Sequence, residues 1–85
     1  MMGKVNVRFF ANLKDLAGTD SLDFEIKDNM TVKEFVSKLL NELPALKAMM
    51  EQRRVFISIN QEMAQNDDII KDGDEIGLLP PFSGG

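Results

Sequence analysis

The sequence contains no cysteine and no histidine. Without cysteine there can be no disulfide, no thiolate zinc site and no cysteine nucleophile. Without histidine the commonest general base and metal ligand is missing. Most hydrolase and metalloenzyme chemistries therefore fall away before any motif is sought. No apolar run approaches the ~18 residues that cross a bilayer. A basic surplus is lacking too: 10 basic residues stand against 14 acidic ones, a net charge of −4. Nucleic acid is thereby disfavoured as a partner, because its phosphates call for a basic footprint. The opening Met1-Met2-Gly3-Lys4 carries no apolar signal core. Together these absences lead us to expect a cytoplasmic protein with no membrane partner.

Eighty-five residues set an expectation of one small domain. A chain of this size buries only about 60–65% of its unfolded surface, which leaves little room for an enclosed cofactor cavity. With 44% hydrophobic and 28% charged residues it has the composition of an ordinary folded chain. The charge is unevenly spread: residues 1–60 carry 9 basic and 8 acidic groups, whereas residues 61–85 carry 1 and 6. The acidic stretch is either a solvated face or complementary to a basic partner.

Residues 4–10 alternate, with Val5, Val7 and Phe9 on one face and Asn6, Arg8 and Phe10 on the other. Leu13, Leu16 and Ala17 suit one helical turn closed by Gly18 at its C-terminal side. Leu22, Phe24 and Ile26 alternate again, so the two strands form a hairpin with a long loop. Thr31 and Glu34 have the spacing of a capping box. Behind them Val32, Phe35, Val36, Leu39, Leu40 and Leu43 draw one apolar helical stripe, which Pro44 ends. Ala45, Leu46, Met49 and Met50 suggest a short second helix. Val55, Ile57 and Ile59 point inward from a third strand, and Asn60-Gln61 turns into a short piece around Glu62–Ala64. Asp72-Gly73-Asp74 is a turn before a last strand, in which Ile76 and Leu78 alternate with Glu75, Gly77 and Leu79. Pro80-Pro81 stops the sheet. The order β-β-α-β-(β)-β predicts a two-layer α+β fold, with a mixed sheet of about five strands packed on one main helix. Its domain spans residues 1–80, followed by a flexible Gly-Gly tail over 81–85.

The uncovered sheet face should be polar. Phe10, Phe56 and Leu79 break that rule by falling on the outward phase, and Met63 lies nearby. They predict an apolar docking face, unless the 45–52 segment folds over and covers some of them. The chain ends in Gly84-Gly85, residues without a Cβ that can enter a narrow channel extended. Five residues from Pro81 to Gly85 reach at most about 17 Å, enough to carry a terminal carboxyl into a partner's active site. Within the chain no catalytic constellation exists: Ser37, Ser58 and Ser83 have no histidine to activate them. Asp67, Asp68, Asp72 and Asp74 lack the EF-hand spacing, and Asp72-Gly73-Asp74 fits turn chemistry.

Val5-Asn6-Val7-Arg8-Phe9-Phe10-Ala11 with Leu13-Lys14-Asp15-Leu16-Ala17-Gly18 resembles the opening of the molybdopterin synthase small-subunit family. Ile59-Asn60-Gln61-Glu62, Asp72-Gly73-Asp74-Glu75 and the terminal Leu79-Pro80-Pro81-Phe82-Ser83-Gly84-Gly85 are similar to its later segments. The resemblance spans essentially the whole chain. Phe82 departs from a common Val, and Met63 from Leu, Tyr or Val. The resemblance implies a β-grasp (ubiquitin-like) fold and a sulfur-carrier role. An E1-like adenylyltransferase would adenylate Gly85 using ATP and magnesium, and a sulfurtransferase would convert the adenylate to a thiocarboxylate. The sulfur would pass to cyclic pyranopterin monophosphate in the large subunit of a heterotetrameric synthase, during molybdenum cofactor biosynthesis. Gly85 and Gly84 are then the reacting end, and Phe10, Met63, Leu79, Pro80, Pro81 and Phe82 the partner-binding residues. Nucleotide contact is expected only through the adenylate. No cofactor or metal is expected on the chain itself, nor any activity from it alone. A sulfur carrier for thiamine or another pathway, a ubiquitin-like modifier joined through Gly85, and a plain binding module with an inert tail are the alternatives.

Overall fold

The computed structural model describes residues 2–52 and 55–80. The chain runs β1 (Met2–Phe9), α1 (Leu13–Ala17), β2 (Ser21–Lys27), α2 (Val32–Glu42), a 3-10 turn (Pro44–Leu46), α3 (Lys47–Glu51), β3 (Phe56–Ile59), β4 (Glu62–Met63) and β5 (Glu75–Leu79). One five-stranded sheet has the order β2-β1-β5-β3-β4. The central β1 and β5 are parallel, Val7 opposite Ile76 and Phe9 opposite Leu78, whereas the other pairs are antiparallel. This mixed sheet, crossed by α2 between its two hairpins, is the β-grasp arrangement.

The core forms where the alternating strand residues meet the helical stripe. Val5, Val7, Phe9, Phe24, Ile26, Ile76 and Leu78 of the sheet are buried, as are Val32, Phe35 and Leu39 of α2. The edge of one ring meets the face of the other where Phe24 packs on Phe35, centroids 5.2 Å apart at 75°. Gly18 ends α1 at φ 78°, a left-handed conformation that costs glycine least.

The capping box at the start of α2 is complete. Thr31 Oγ1 accepts from the Glu34 N–H at 3.2 Å, and Glu34 Oε1 accepts from the Thr31 N–H at 3.0 Å. The bond from the Thr31 N–H and then one that the Thr31 hydroxyl donates to Glu34 Oε1 at 3.1 Å, with a smaller pull from Lys27, hold the Glu34 carboxyl below the usual carboxylate range. A carboxyl held low stabilises the fold at pH above its unfolded value and ceases to as pH falls through its folded one. Replacing Thr31→Ala should cost about 1 kcal/mol. For a domain this small that is a drop of about 4–8 °C in Tm, read by thermal unfolding near neutral pH. The same scan below the Glu34 transition should show a smaller difference.

Two features depart from the sequence reading. The stretch expected as one short helix after Pro44 is a 3-10 turn followed by α3. It packs on the core through buried Leu46 and half-buried Met49 and Met50, so it does not cover the outer sheet face. Met30 and Ile70 are core residues that no periodicity marked. The Ile70 N–H donates to the Met30 carbonyl at 2.8 Å, and Thr31 forms a lone bridge with Ile69, tying the 65–70 loop to the start of α2. The helical turn expected around Leu13, Leu16 and Ala17 is α1, closed by Gly18, with Leu13 buried and Leu16 exposed.

The outer edge of the sheet is β2. Its pairing alternates, and the Phe9 N–H donates to the Asp20 carbonyl, so Ser21, Asp23, Glu25 and Lys27 turn their backbone groups outward. Three of those four carbonyls have partners inside the chain. Thr19 Oγ1 donates to Ser21, Lys38 Nζ to Glu25 and the Met30 N–H to Lys27. Lys38 also sits 5.4 Å over the Phe24 ring. Among the described residues no helix is long and apolar enough to cross a membrane.

Candidate functional site

The site lies on the sheet face opposite α2, at the end where β5 leads into the C-terminal residues. Strand register assembles it row by row. Arg8, Gly77, Ser58 and Met63 stand side by side across β1, β5, β3 and β4. One step toward the C-terminal end, Phe56 stands opposite Leu79. Phe10, just past β1, extends the parallel ladder by donating its N–H to the Leu78 carbonyl at 3.1 Å, which sets it beside Leu79. One step the other way, the row is polar: Asp23, Asn6 and Glu75, with Asn6 Nδ2 donating to Asp23 Oδ1. The face thus grades from apolar at the tail's root to polar at the far end.

Phe10, Met63 and Leu79, expected from the sequence to share a docking surface, do line one depression of about 370 Å³. Met63 is 64% exposed, Phe10 37% and Leu79 half-buried. Phe56, also outward and 41% exposed, stands next to Leu79 but does not line the depression. Pro80 is half-buried at the end of β5. Pro81, Phe82, Gly84 and Gly85, the other expected site residues, lie outside the described residues.

The sequence reading missed Arg8, Ser58, Glu75 and Gly77 as lining residues. They sit on the same outward phase as Phe10 and Leu79. Being polar or small, they match what an ordinary solvated face would show. Arg8 pairs loosely with Glu75, NH1 to Oε2 at 3.8 Å, and lays its guanidinium 5.8 Å over the Phe10 ring. Both charges are about half exposed, so the ion pair contributes little to stability but keeps the rim of the depression close to neutral.

A side-chain clamp fixes the hairpin that carries Met63. Asn60 and Gln61 form its two-residue turn at φ 52° and 72°, which matches the twist of the flanking strands. Asn60 Oδ1 accepts from the Glu75 N–H at 3.0 Å, and Asn60 Nδ2 donates to Asp74 Oδ1 at 3.1 Å. The hairpin is thereby pinned to the start of β5. Asp74 in turn accepts from the Lys71 N–H, Asp72 from the Lys4 N–H and Asp68 from the Gln65 N–H, each at 2.8 Å. These carboxylates therefore serve the backbone of turns and strand ends.

Among the described residues the depression offers a largely apolar surface beside the end of β5, which suits binding. Comparison with known proteins agrees with this geometry. The ThiS family pattern matches residues 7–85. The molybdopterin synthase sulfur carrier subunit of Chlamydomonas reinhardtii is 31% identical over 84 residues, 96% of this chain and 99% of its own length. A solution structure of small archaeal modifier protein 1 from Methanosarcina acetivorans superposes with a TM-score of 0.78 at 31% identity, over 100% of this chain and 99% of its own. In the complex of subunits 1 and 2 of the molybdopterin-converting factor from Helicobacter pylori, one chain matches with a TM-score of 0.64 and 36% identity over 100% of both chains.

Proposed function

Because this chain belongs to the ThiS family, we propose that it is the sulfur carrier subunit of a molybdopterin synthase. What carries this reading is the full-length match to relatives curated under that name, at 31% identity with both lengths nearly covered. The Helicobacter pylori complex supports docking on a second, larger subunit.

The work of the chain divides between a face and an end. Phe10, Leu79 and Met63 hold the partner by burying apolar surface. The residues after Pro80 deliver the terminal carboxylate. An E1-like enzyme transfers AMP from ATP to the Gly85 carboxylate and releases pyrophosphate, which gives the carbonyl carbon a leaving group. A sulfur donor then displaces AMP, leaving a thiocarboxylate. Inside the large subunit that sulfur attacks cyclic pyranopterin monophosphate, and hydrolysis of the resulting acyl link returns the carboxylate. Gly84 and Gly85 have no side chain to block the channel or the carbonyl. Bases and substrate pocket belong to the partners, which is why a chain without histidine or cysteine suffices. The lack of cysteine also spares the carrier from capturing its own activated end.

The test is intact-mass analysis after incubation with an E1-like enzyme, ATP and a sulfur donor. Exchange of oxygen for sulfur adds nearly the mass of oxidising one of the six methionines. The sample is therefore also treated with a thiol alkylator, and the expected result is one adduct that maps to Gly85. A second reading, a protein modifier joined through Gly85, draws on the likeness to the archaeal modifier. It predicts protein conjugates and no alkylated end in the same experiment.

A further inference from the structure

We infer that Met63 is an oxidation site, at which hydrogen peroxide converts the thioether to a sulfoxide and thereby loosens the carrier from its synthase. For the partner this rests on the synthase reading above, whereas the site follows from this chain's own residues.

The composition leaves methionine as the side chain an oxidant meets. Cysteine, histidine, tryptophan and tyrosine are all absent, whereas methionine occurs six times. Exposure then ranks the methionines whose side chains the structure describes. Met30 is buried at 6%, Met49 and Met50 pack half-buried against the core, and Met63 is 64% exposed. Its setting explains that exposure. β4 is the last strand of the sheet and only two residues long, so no strand shields Met63 on its outer side. The Asn60 clamp pins the hairpin to β5, which keeps Met63 in the row of Ser58 and Gly77. In the reaction Sδ takes one peroxide oxygen: an S–O bond forms and the O–O bond breaks. The proton of the transferred oxygen goes to the departing hydroxide, which leaves as water. The thioether loses two electrons, and the peroxide is reduced by the same two.

A sulfoxide here changes docking and not folding. In the free protein its oxygen keeps its water, because the side chain is already mostly exposed. Under a docked partner it exchanges that water for a depression that Phe10 and Leu79 make largely apolar. The cost of that exchange is met only in the complex. Arg8, the cationic donor on the rim, is already paired with Glu75. The same oxidant attacks the thiocarboxylate that the synthase reading puts on Gly85, since that sulfur is also a nucleophile. A carrier that lets go of its synthase under peroxide therefore withholds an end that can no longer transfer sulfur. Enzymatic reduction of the sulfoxide returns the docking face to use.

In the experiment the full chain is treated with hydrogen peroxide in steps, and each step is mapped by peptide mass spectrometry. Met63 should be oxidised ahead of Met30, Met49 and Met50. Affinity for the large subunit from the same genome is measured by calorimetry at each step. It should fall about tenfold once Met63 is oxidised, while Tm moves by less than about 4 °C. Methionine sulfoxide reductases with a dithiol should restore the affinity, the dithiol becoming a disulfide and the sulfoxide oxygen water. Met63→Leu serves as its own reference, and its affinity should not change on oxidation. Oxidation of Met63 no faster than that of buried Met30 overturns the site. Unchanged affinity of the oxidised chain, an equal loss in oxidised Met63→Leu, or a loss that comes with unfolding overturns the switch. An unoxidised chain that binds no large subunit overturns the synthase reading instead, and the order of oxidation then still decides the site.

Discussion

Removal of Gly85 alone should abolish sulfur transfer and leave the fold unchanged. The truncated chain still ends in a glycine carboxylate, but that carboxylate stands about 3.5 Å short of the reacting position. A misplacement of about 1 Å can already cost about 10²-fold in rate, so a whole residue should push turnover below detection. The described fold does not depend on that residue. Among the described residues every buried core side chain lies between Val5 and Leu78, and β5 ends at Leu79. Two measurements check the prediction: alkylatable C-terminus by intact mass, and Tm. A shift in Tm of more than about 4–8 °C would amount to about 1 kcal/mol and would show that the tail belongs to the folded body.

Leu79→Asp should carry the second large effect, this time on binding. Leu79 stands between Phe10 and Phe56 at the root of the tail, so its carboxylate replacement would lose its water once a partner docks, with only Arg8, already paired with Glu75, on the rim to offset it. Charging the centre of such a contact costs about 2–4 kcal/mol, a loss of roughly 30- to 1,000-fold in affinity. Phe10→Asp should act similarly. In the free protein both positions are partly exposed, so each variant should still fold, which circular dichroism would verify. Unchanged affinity for the large subunit in both variants would remove the docking face from the account.

The two predictions differ in how far the sequence alone supports them. The tail and its end are visible as residue types, needing no fold. The docking face depends on phase. Phe10 and Leu79 were legible because strand side chains alternate with a period of two, so an apolar residue on the solvent side stands out. Met63 was less so, since a two-residue strand has no period to read and only its proximity to the Asn60 turn suggested it. The helix was legible to the residue at its start, because a capping box is a local signal four residues long. Ile70 was not, because it stands beside exposed Ile69 between turn residues, where no period tells which of the two turns inward. Gly77 could be placed on the outward phase but not understood. Its meaning lies in Ser58, nearly twenty positions away in the chain and directly across the ladder, whose Oγ would lie 2.5 Å from a Cβ on Gly77. The parallel pairing of β1 with β5, which brings Phe10 beside Leu79, likewise joins the two ends of the chain and leaves no mark on either.

Lys38, Thr19 and Met30 have already claimed most of the outward carbonyls of β2, and the opposite edge of the sheet ends in the two residues of β4. A sheet so trimmed has fewer carbonyls to lend to a passing strand. Beside those edges lies an oily face, with Phe10, Phe56 and Met63 exposed. Open edges beside that face would invite stacking into fibrils through contacts that read no sequence at all. With its borders so trimmed, a partner gains less from this protein's sheet edges than from its side chains. Those are the part of a surface that selection can adjust one residue at a time.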